Sequence, residues 1–147
     1  MSQTSAIATF GTLIQVGDGL SPQTFSTINQ VGNITGPKSV AAVKETTAHS
    51  SQIPHRTWIP TLIDDGQLAF PIFYNPADVT HNLTAPYGLE YLYQNRLIRA
   101  FRLVETDPSA TRRQFQGFVE TYGENYPVDG VLMRDVTIRI TSAPAIA

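Results

Sequence analysis

The sequence predicts a mainly β protein, an antiparallel sandwich or partly closed barrel with one flanking α-helix. Three observations lead there. Ten glycines and ten prolines are scattered along 147 residues, which cuts the chain into pieces suited to many short strands. Residues 131–141 (VLMRDVTIRIT) place Val136, Ile138 and Ile140 on one face and Thr137, Arg139 and Thr141 on the other, the period of a half-buried strand. Leu89, Leu92 and Tyr93 form the one i, i+3, i+4 stripe, the period of a helix.

Taken in order, residues 12–16 (TLIQV) read as a strand ending in the turn Gly17-Asp18-Gly19. Residues 25–34 (FSTINQVGNI) read as a second strand in which Gly32 marks a bulge or a close approach. Residues 37–57 are rich in Ser, Thr and Ala without a sustained period. They read as a long exposed loop, extended in part, and loops of this length are usually functional or disordered. Residues 58–63 and 68–74 flank Asp64-Asp65-Gly66, an Asp-Gly signal for a hairpin, with Pro60 and Pro71 favouring edge positions or bulges. Thr84 is placed to cap the helix and Pro86 to sit in its first turn, while Gly88 weakens it by ~1 kcal/mol relative to Ala. Residues 97–104 form a strand with Arg99 beside Phe101 on one face and Arg102 beside Ala100 on the other. Residues 115–122 and 131–141 form a pair joined through residues 127–130.

The length suits one domain, 1–147, able to bury about 68–70% of its unfolded surface. The formal net charge is −2, hydrophobic residues make up 41% and charged residues 15%, too apolar for a disordered tail and too poor in cations for a non-specific duplex binder. Absence of cysteine excludes disulfides and thiolate zinc sites. Neither a targeting signal nor a membrane span is expected.

Motifs for catalysis or cofactors are missing. There is no phosphate-binding glycine loop. His49, His55 and His81 lack the spacing of a helical metal pair and read as exposed loop histidines. Adjacent Asp64 and Asp65 would point to opposite faces of a strand and so form no acid/base pair. Ser50 and Ser51 beside His49 lack a nucleophile elbow. The Asn33 and Asn82 acceptor-like sequons read as chance. Arg96, Arg99, Arg102, Arg112 and Arg113 are the only basic concentration. They could make a nucleic-acid stripe, but pairing with acids on neighbouring strands or subunits fits the acidic total better. Tyr87, Tyr91 and Tyr93 read as helix-to-sheet packing.

The order of these pieces resembles the siphophage major tail tube proteins, the lambda-type tail tube family. Gly11-Thr12-Leu13 with Gly17-Asp18-Gly19 is similar to the family's opening strand, and residues 25–36, ending Ile34-Thr35-Gly36-Pro37, to its second. Glu45-Thr46-Thr47-Ala48-His49-Ser50-Ser51 resembles the loop's Thr-x-His-x-Ser element. Residues 58–66 (WIPTLIDDG) resemble Phe-Ile-Pro-Gly-Leu-x-Asp-x-Gly, and residues 68–76 the strand that follows. Phe115-Gln116-Gly117-Phe118-Val119 resembles the Phe-x-Gly-x-Val strand, and Pro127-Val128-Asp129 with the final Val-Thr-Ile-x-Ile strand fits the ending. The likeness spans roughly residues 10–144. Thr61 departs from the family's glycine. With a last strand so close to Ala147, no C-terminal immunoglobulin-like domain is expected.

The resemblance implies a non-enzymatic virion tail protein, made in the host cytoplasm, whose hexameric rings stack into a hollow tube that conducts DNA. It implies partners in the tape-measure and in the tail-tip and terminator proteins, and neither cofactor, metal nor membrane. Strand arithmetic is compatible. An aqueous bore needs about 16–18 strands, more than one chain offers, so subunits must each lend strands to a larger β-barrel ring. A conduit must not hold its cargo, so a lumen of zero or net negative charge is expected. The loop 37–57 is the expected contact to the next ring, through Lys38, Val40, Val43, Lys44, Glu45, Ile53, His55 and Arg56. Ile7 and Phe10 of the arm 1–10, with Arg99 and Arg102, are expected at contacts within the ring, and the tail 142–147 is a secondary candidate. Two other readings stand beside this one: the inner tube of type VI secretion, and a monomeric β-sandwich binding module using Trp58. No residue set supplies a nucleophile, base and oxyanion donors together.

Overall fold

The computed structural model describes residues 7–20, 22–48 and 54–146. It is mainly antiparallel β with one short helix. The strands are β1 (Leu13–Gly17), β2 (Phe25–Thr27), β3 (Val40–Glu45), β4 (Trp58–Asp64) and β5 (Gln67–Phe73). After helix α1 (Leu89–Asn95) come β6 (Arg99–Val104), β7 (Arg112–Asn125), β8 (Met133–Ile140) and β9 (Ala145–Ile146). One sheet runs β2-β1-β6-β7-β8-β5, with β9 on β7, and a separate two-stranded sheet holds β3 and β4.

The large sheet curls around a core because its strands alternate. On β5, Leu68, Phe70 and Ile72 point inward, and on β8 Val136, Ile138 and Ile140 do. Ile14 and Val16 of β1 and Phe101 of β6 join them. Phe101 stacks on its cross-strand partner Phe115 at 6.2 Å. Beyond β2 the chain crosses to the far edge of the sheet. Val31 and Thr35 bridge Ile72 and Ala69 of β5, and the Gly32 amide donates to the Pro71 carbonyl at 2.8 Å. The barrel is thus partly closed by isolated bridges, and a Cβ at Gly32 would press on the Pro71 ring.

The structure corrects several expectations. Residues 25–34 are not one strand: only Phe25–Thr27 pairs regularly, since the rest leaves β1 to reach β5. Residues 40–45, read as loop, are strand β3. The hairpin expected about Asp64-Asp65-Gly66 does not form, because β4 pairs with β3 and β5 pairs with β8. The turn itself is present. The Gly66 amide donates to Asp64 Oδ1 at 2.9 Å, and Gly66 has φ +81° where any Cβ would collide with the Lys38 carbonyl oxygen. Local turn chemistry is the same in either pairing; burial of the β5 face decides which is made.

The helix begins at Leu89 with Gly88 as its N-cap, not at Thr84. Residues 76–88 are instead held in turns, and a Cβ at Gly88 would collide with the Asn82 carbonyl. Leu89 and Leu92 are buried as the stripe requires, and Tyr93 stacks on Tyr122 of β7 at 5.9 Å. His81, read as an exposed loop histidine, is fully buried. Its Nδ1 accepts from the Asn75 amide at 3.3 Å, so Nε2 carries the proton and donates to the Asn29 carbonyl at 2.6 Å. This imidazole ties the turns after β5 to the segment after β2.

Asp78 locks the same turns. Its Oδ1 accepts from the Thr80 amide and hydroxyl at 2.9 and 2.7 Å, and its Oδ2 from the Asn29 amide group at 3.0 Å. Partial burial pushes the carboxyl up, but the Thr80 and Asn29 hydrogen bonds hold it below the usual carboxylate value of 3.8. A lowered folded-state pKa gives stability that is present above the unfolded value and is lost as pH falls through the folded one. The melting temperature of Asp78→Asn should therefore fall less steeply than that of the parent as pH drops below about 4. Equal slopes in acid-range thermal melts would remove Asp78 from this role.

Candidate assembly interface

The β3–β4 ribbon packs on itself and stands away from the core. Every residue of both strands is exposed. Opposed residues share a face. Ala41, Val43 and Glu45 meet Ile63, Pro60 and Trp58 on one side, while Val40 and Lys44 meet Asp64 and Ile59 on the other. Between the Ala41 and Val43 pairs the register shifts, placing an extra β4 residue opposite Ala42, where the Thr61 hydroxyl donates to the Ala42 carbonyl at 3.0 Å. Both faces therefore carry exposed apolar side chains. Leu62 is 80% exposed and Ile63 68%. Val40, Ala42, Leu62 and Ile63 also border an open cleft whose far wall is Ile140 and Thr141.

A two-stranded ribbon is marginal in water by itself, so its order needs local ties. At its outer end the Thr46 amide donates to the Thr57 carbonyl at 2.8 Å, the two hydroxyls lie 3.0 Å apart, and the Thr57 amide donates to Thr47 Oγ1 at 2.8 Å. Arg56 lies 3.8 Å from Glu45. At its base Asp64 lies 3.7 Å from Arg139, which also meets Glu120 at 3.3 Å, and the Gln67 side-chain amide donates to Glu120 at 2.6 Å. These exposed pairs contribute roughly 0–1 kcal/mol each. They set geometry, whereas burying a large apolar side chain is worth about 1.5–3 kcal/mol.

The contact residues expected from the sequence fall in three places among the described residues. Lys38, Val40, Val43, Lys44, Glu45, His55 and Arg56 all lie on or beside the ribbon and are exposed. Ile53 lies outside the described residues, as do His49, Ser50 and Ser51. Ile7 and Phe10 are exposed in the arm, where the Thr106 hydroxyl donates to the Ala8 carbonyl. Arg99 and Arg102 are elsewhere, on β6. The Arg102 guanidinium covers the Phe25 ring at 3.7 Å and its Nε donates to Gln114 at 3.1 Å. The Arg99 side chain lies against Gly19 and its buried Nε has no hydrogen-bond partner. Of the basic concentration, Arg113 makes the expected ion pair, with Glu105 at 2.7 Å; Arg102 uses an amide and a ring instead of an acid. Ile59, Leu62 and Ile63 are surface residues that the sequence reading does not single out, and Trp58 enters it only for the binding-module alternative. Their signal is the apolar run in residues 58–63, interrupted only by Thr61, which has no alternation to bury one face and expose the other.

Among the described residues, no group of three or more His, Asp or Glu is placed to hold a metal ion, and no helix is long and apolar enough to cross a membrane. No protein-family model and no curated protein matches the sequence. Solved structures do match. A chain from the tail of an empty gene transfer agent particle, refined with C6 symmetry, superposes with TM-score 0.69 at 11% identity over 99% of both chains. A chain from the sheath/tube terminator of an extracellular contractile injection system gives 0.70 at 9% identity, again over 99% of both. The SPP1 tail tube gives 0.68 at 14% identity, over 96% of this chain and 78% of that one. At these identities the shared property is the fold, and it is a fold found in assembled tails.

Proposed function

We propose that the chain is a structural, non-catalytic subunit of a tail tube. Hexameric rings stack into a hollow cylinder that conducts DNA from a phage or phage-derived particle, of the lambda-type siphophage kind. The protein resides in the tail after synthesis in the host cytoplasm, and its partners are other copies, a tape-measure protein and tip or terminator proteins. The observation that carries this reading is the ribbon. Large apolar side chains exposed on both faces of a two-stranded sheet require cover, and the fold around them matches chains of six-fold tails along almost its whole length. Ribbons covered by neighbours would complete a sheet that one chain leaves open. Contractile-system structures also match, so an injection-system inner tube is the second reading; the assembly physics is the same.

Deletion of residues 41–52 tests the proposal. It removes β3 and leaves the barrel strands intact. The shortened protein should keep a cooperative thermal transition, run as a monomer on sizing chromatography and make no tubes. Normal tubes from it would refute the ribbon's role.

A further inference from the structure

We propose that the ribbon of one copy docks on the β7–β8 hairpin end of a second copy. This rests on the tube reading and names the acceptor within it. The two surfaces lie at opposite ends of the barrel. β4 delivers the ribbon beside the start of β5, where Gln67 pairs with Arg139. β5 then runs its length to Phe73, which pairs with Met133, and the Tyr74 amide donates to the Leu132 carbonyl of the hairpin at 3.0 Å. Seven strand residues put these ends about 20 Å apart. A contact between unlike surfaces at opposite ends does not close as a two-fold dimer; it repeats in one direction, as a stack must.

The chemistry of the two ends is complementary. The hairpin end exposes Phe73, Tyr126, Val128 and Val131, an apolar surface to set against the ribbon. On the ribbon Lys38, Lys44 and Arg56 outnumber Glu45 and Asp64, of which Asp64 is paired with Arg139 at the base, and Lys38 and Lys44 are the only lysines in the chain. Around the hairpin Glu124, Asp129 and Asp135 outnumber Arg134, which is buried beneath the Tyr74 ring at 4.2 Å. Most other acids are engaged: Asp107 accepts from Thr111, Glu105 pairs with Arg113, Glu120 with Arg139, and Asp18 accepts from the Leu20 and Thr24 amides. Among the described residues, the carboxylates of Asp129 and Asp135 have no ion pair or hydrogen bond, nor has that of Asp65 at the ribbon's own base. Unpaired opposite charges would steer the ribbon end onto the hairpin end and reject the like-charged orientation.

The confinement of lysine to the ribbon supplies the test. A water-soluble carbodiimide joins amines to carboxylates without a spacer, so every intermolecular amide from a side-chain amine starts at Lys38 or Lys44. On full-length protein under assembly conditions, mass spectrometry should find these lysines joined chiefly to Asp129 and Asp135, and Asp129→Asn with Asp135→Asn should abolish those links. Lys38→Glu with Lys44→Glu should stop stacking, and adding Asp129→Lys with Asp135→Lys to the same chain should restore it. Tubes whose lysines join Asp18, Glu105 or Asp107 instead would overturn the acceptor and leave the tube reading intact, as would failure of the charge swap to restore stacking. A protein that stays monomeric throughout would overturn both.

Discussion

Leu62→Asp combined with Ile63→Asp is expected to yield a well-folded monomer that forms neither rings nor tubes. Both side chains are largely solvent-exposed in the single chain, so the core loses nothing and the folding stability should change by no more than surface substitutions usually allow, within about 0.5 kcal/mol. In the proposed assembly the same positions would be covered. Each new carboxylate would then be stripped of water without a partner, at a cost of several kcal/mol, and the transfer energy of two large apolar groups, about 1.5–3 kcal/mol each, would be lost as well. Six copies in the proposed ring would repeat the penalty. Sizing chromatography and thermal melts on one sample read both halves of this prediction. Assembly at the parent's concentration by the double variant would remove the ribbon from the interface.

Phe101→Ala should have the opposite profile, a large loss of stability in the isolated chain. Phe101 is fully buried at the centre of the large sheet and stacks on Phe115. Truncation removes the ring and leaves a cavity walled by β1, β6 and β7, which typically costs 3–5 kcal/mol, that is about 3–5 of the roughly 5–15 kcal/mol that hold a domain folded. Urea unfolding should show a markedly lower midpoint with little change in slope. A loss below about 1 kcal/mol would mean that β1 and β6 do not close over this core.

Which parts of this molecule can be read from its sequence follows from where burial is one-sided. β8 is legible because one face meets the core and the other meets water, so Val136, Ile138 and Ile140 alternate with Thr137 and Arg139. The helix stripe is legible for the same reason, whereas its start is not. Thr84 is a sound cap by local chemistry, but the turn held by Asp78, His81 and the Gly88 close approach delays the helix to Leu89. His81 itself carries no local signal, since its burial depends on Asn29 far away in the chain. The ribbon is least legible. Val40 to Glu45 is two-thirds alanine and valine with no period, because neither face of the ribbon is buried within one chain. The Asp-Gly turn then assigns β4 to the wrong partner, since turn chemistry is local and pairing is not. The segment expected to make contacts, 37–57, holds strand β3, all of whose residues are exposed. An unusually long stretch between strands, holding both lysines and scattered apolar residues, is what an arm that reaches outside its own fold requires.

Electron microscopy of the purified full-length protein, imaged across a concentration series alongside sizing chromatography, tests the central claim most directly. Annular particles with six-fold symmetry that lengthen into hollow filaments are the predicted result. Single globular particles at every concentration, even with a tail tip added as a seed, would contradict it.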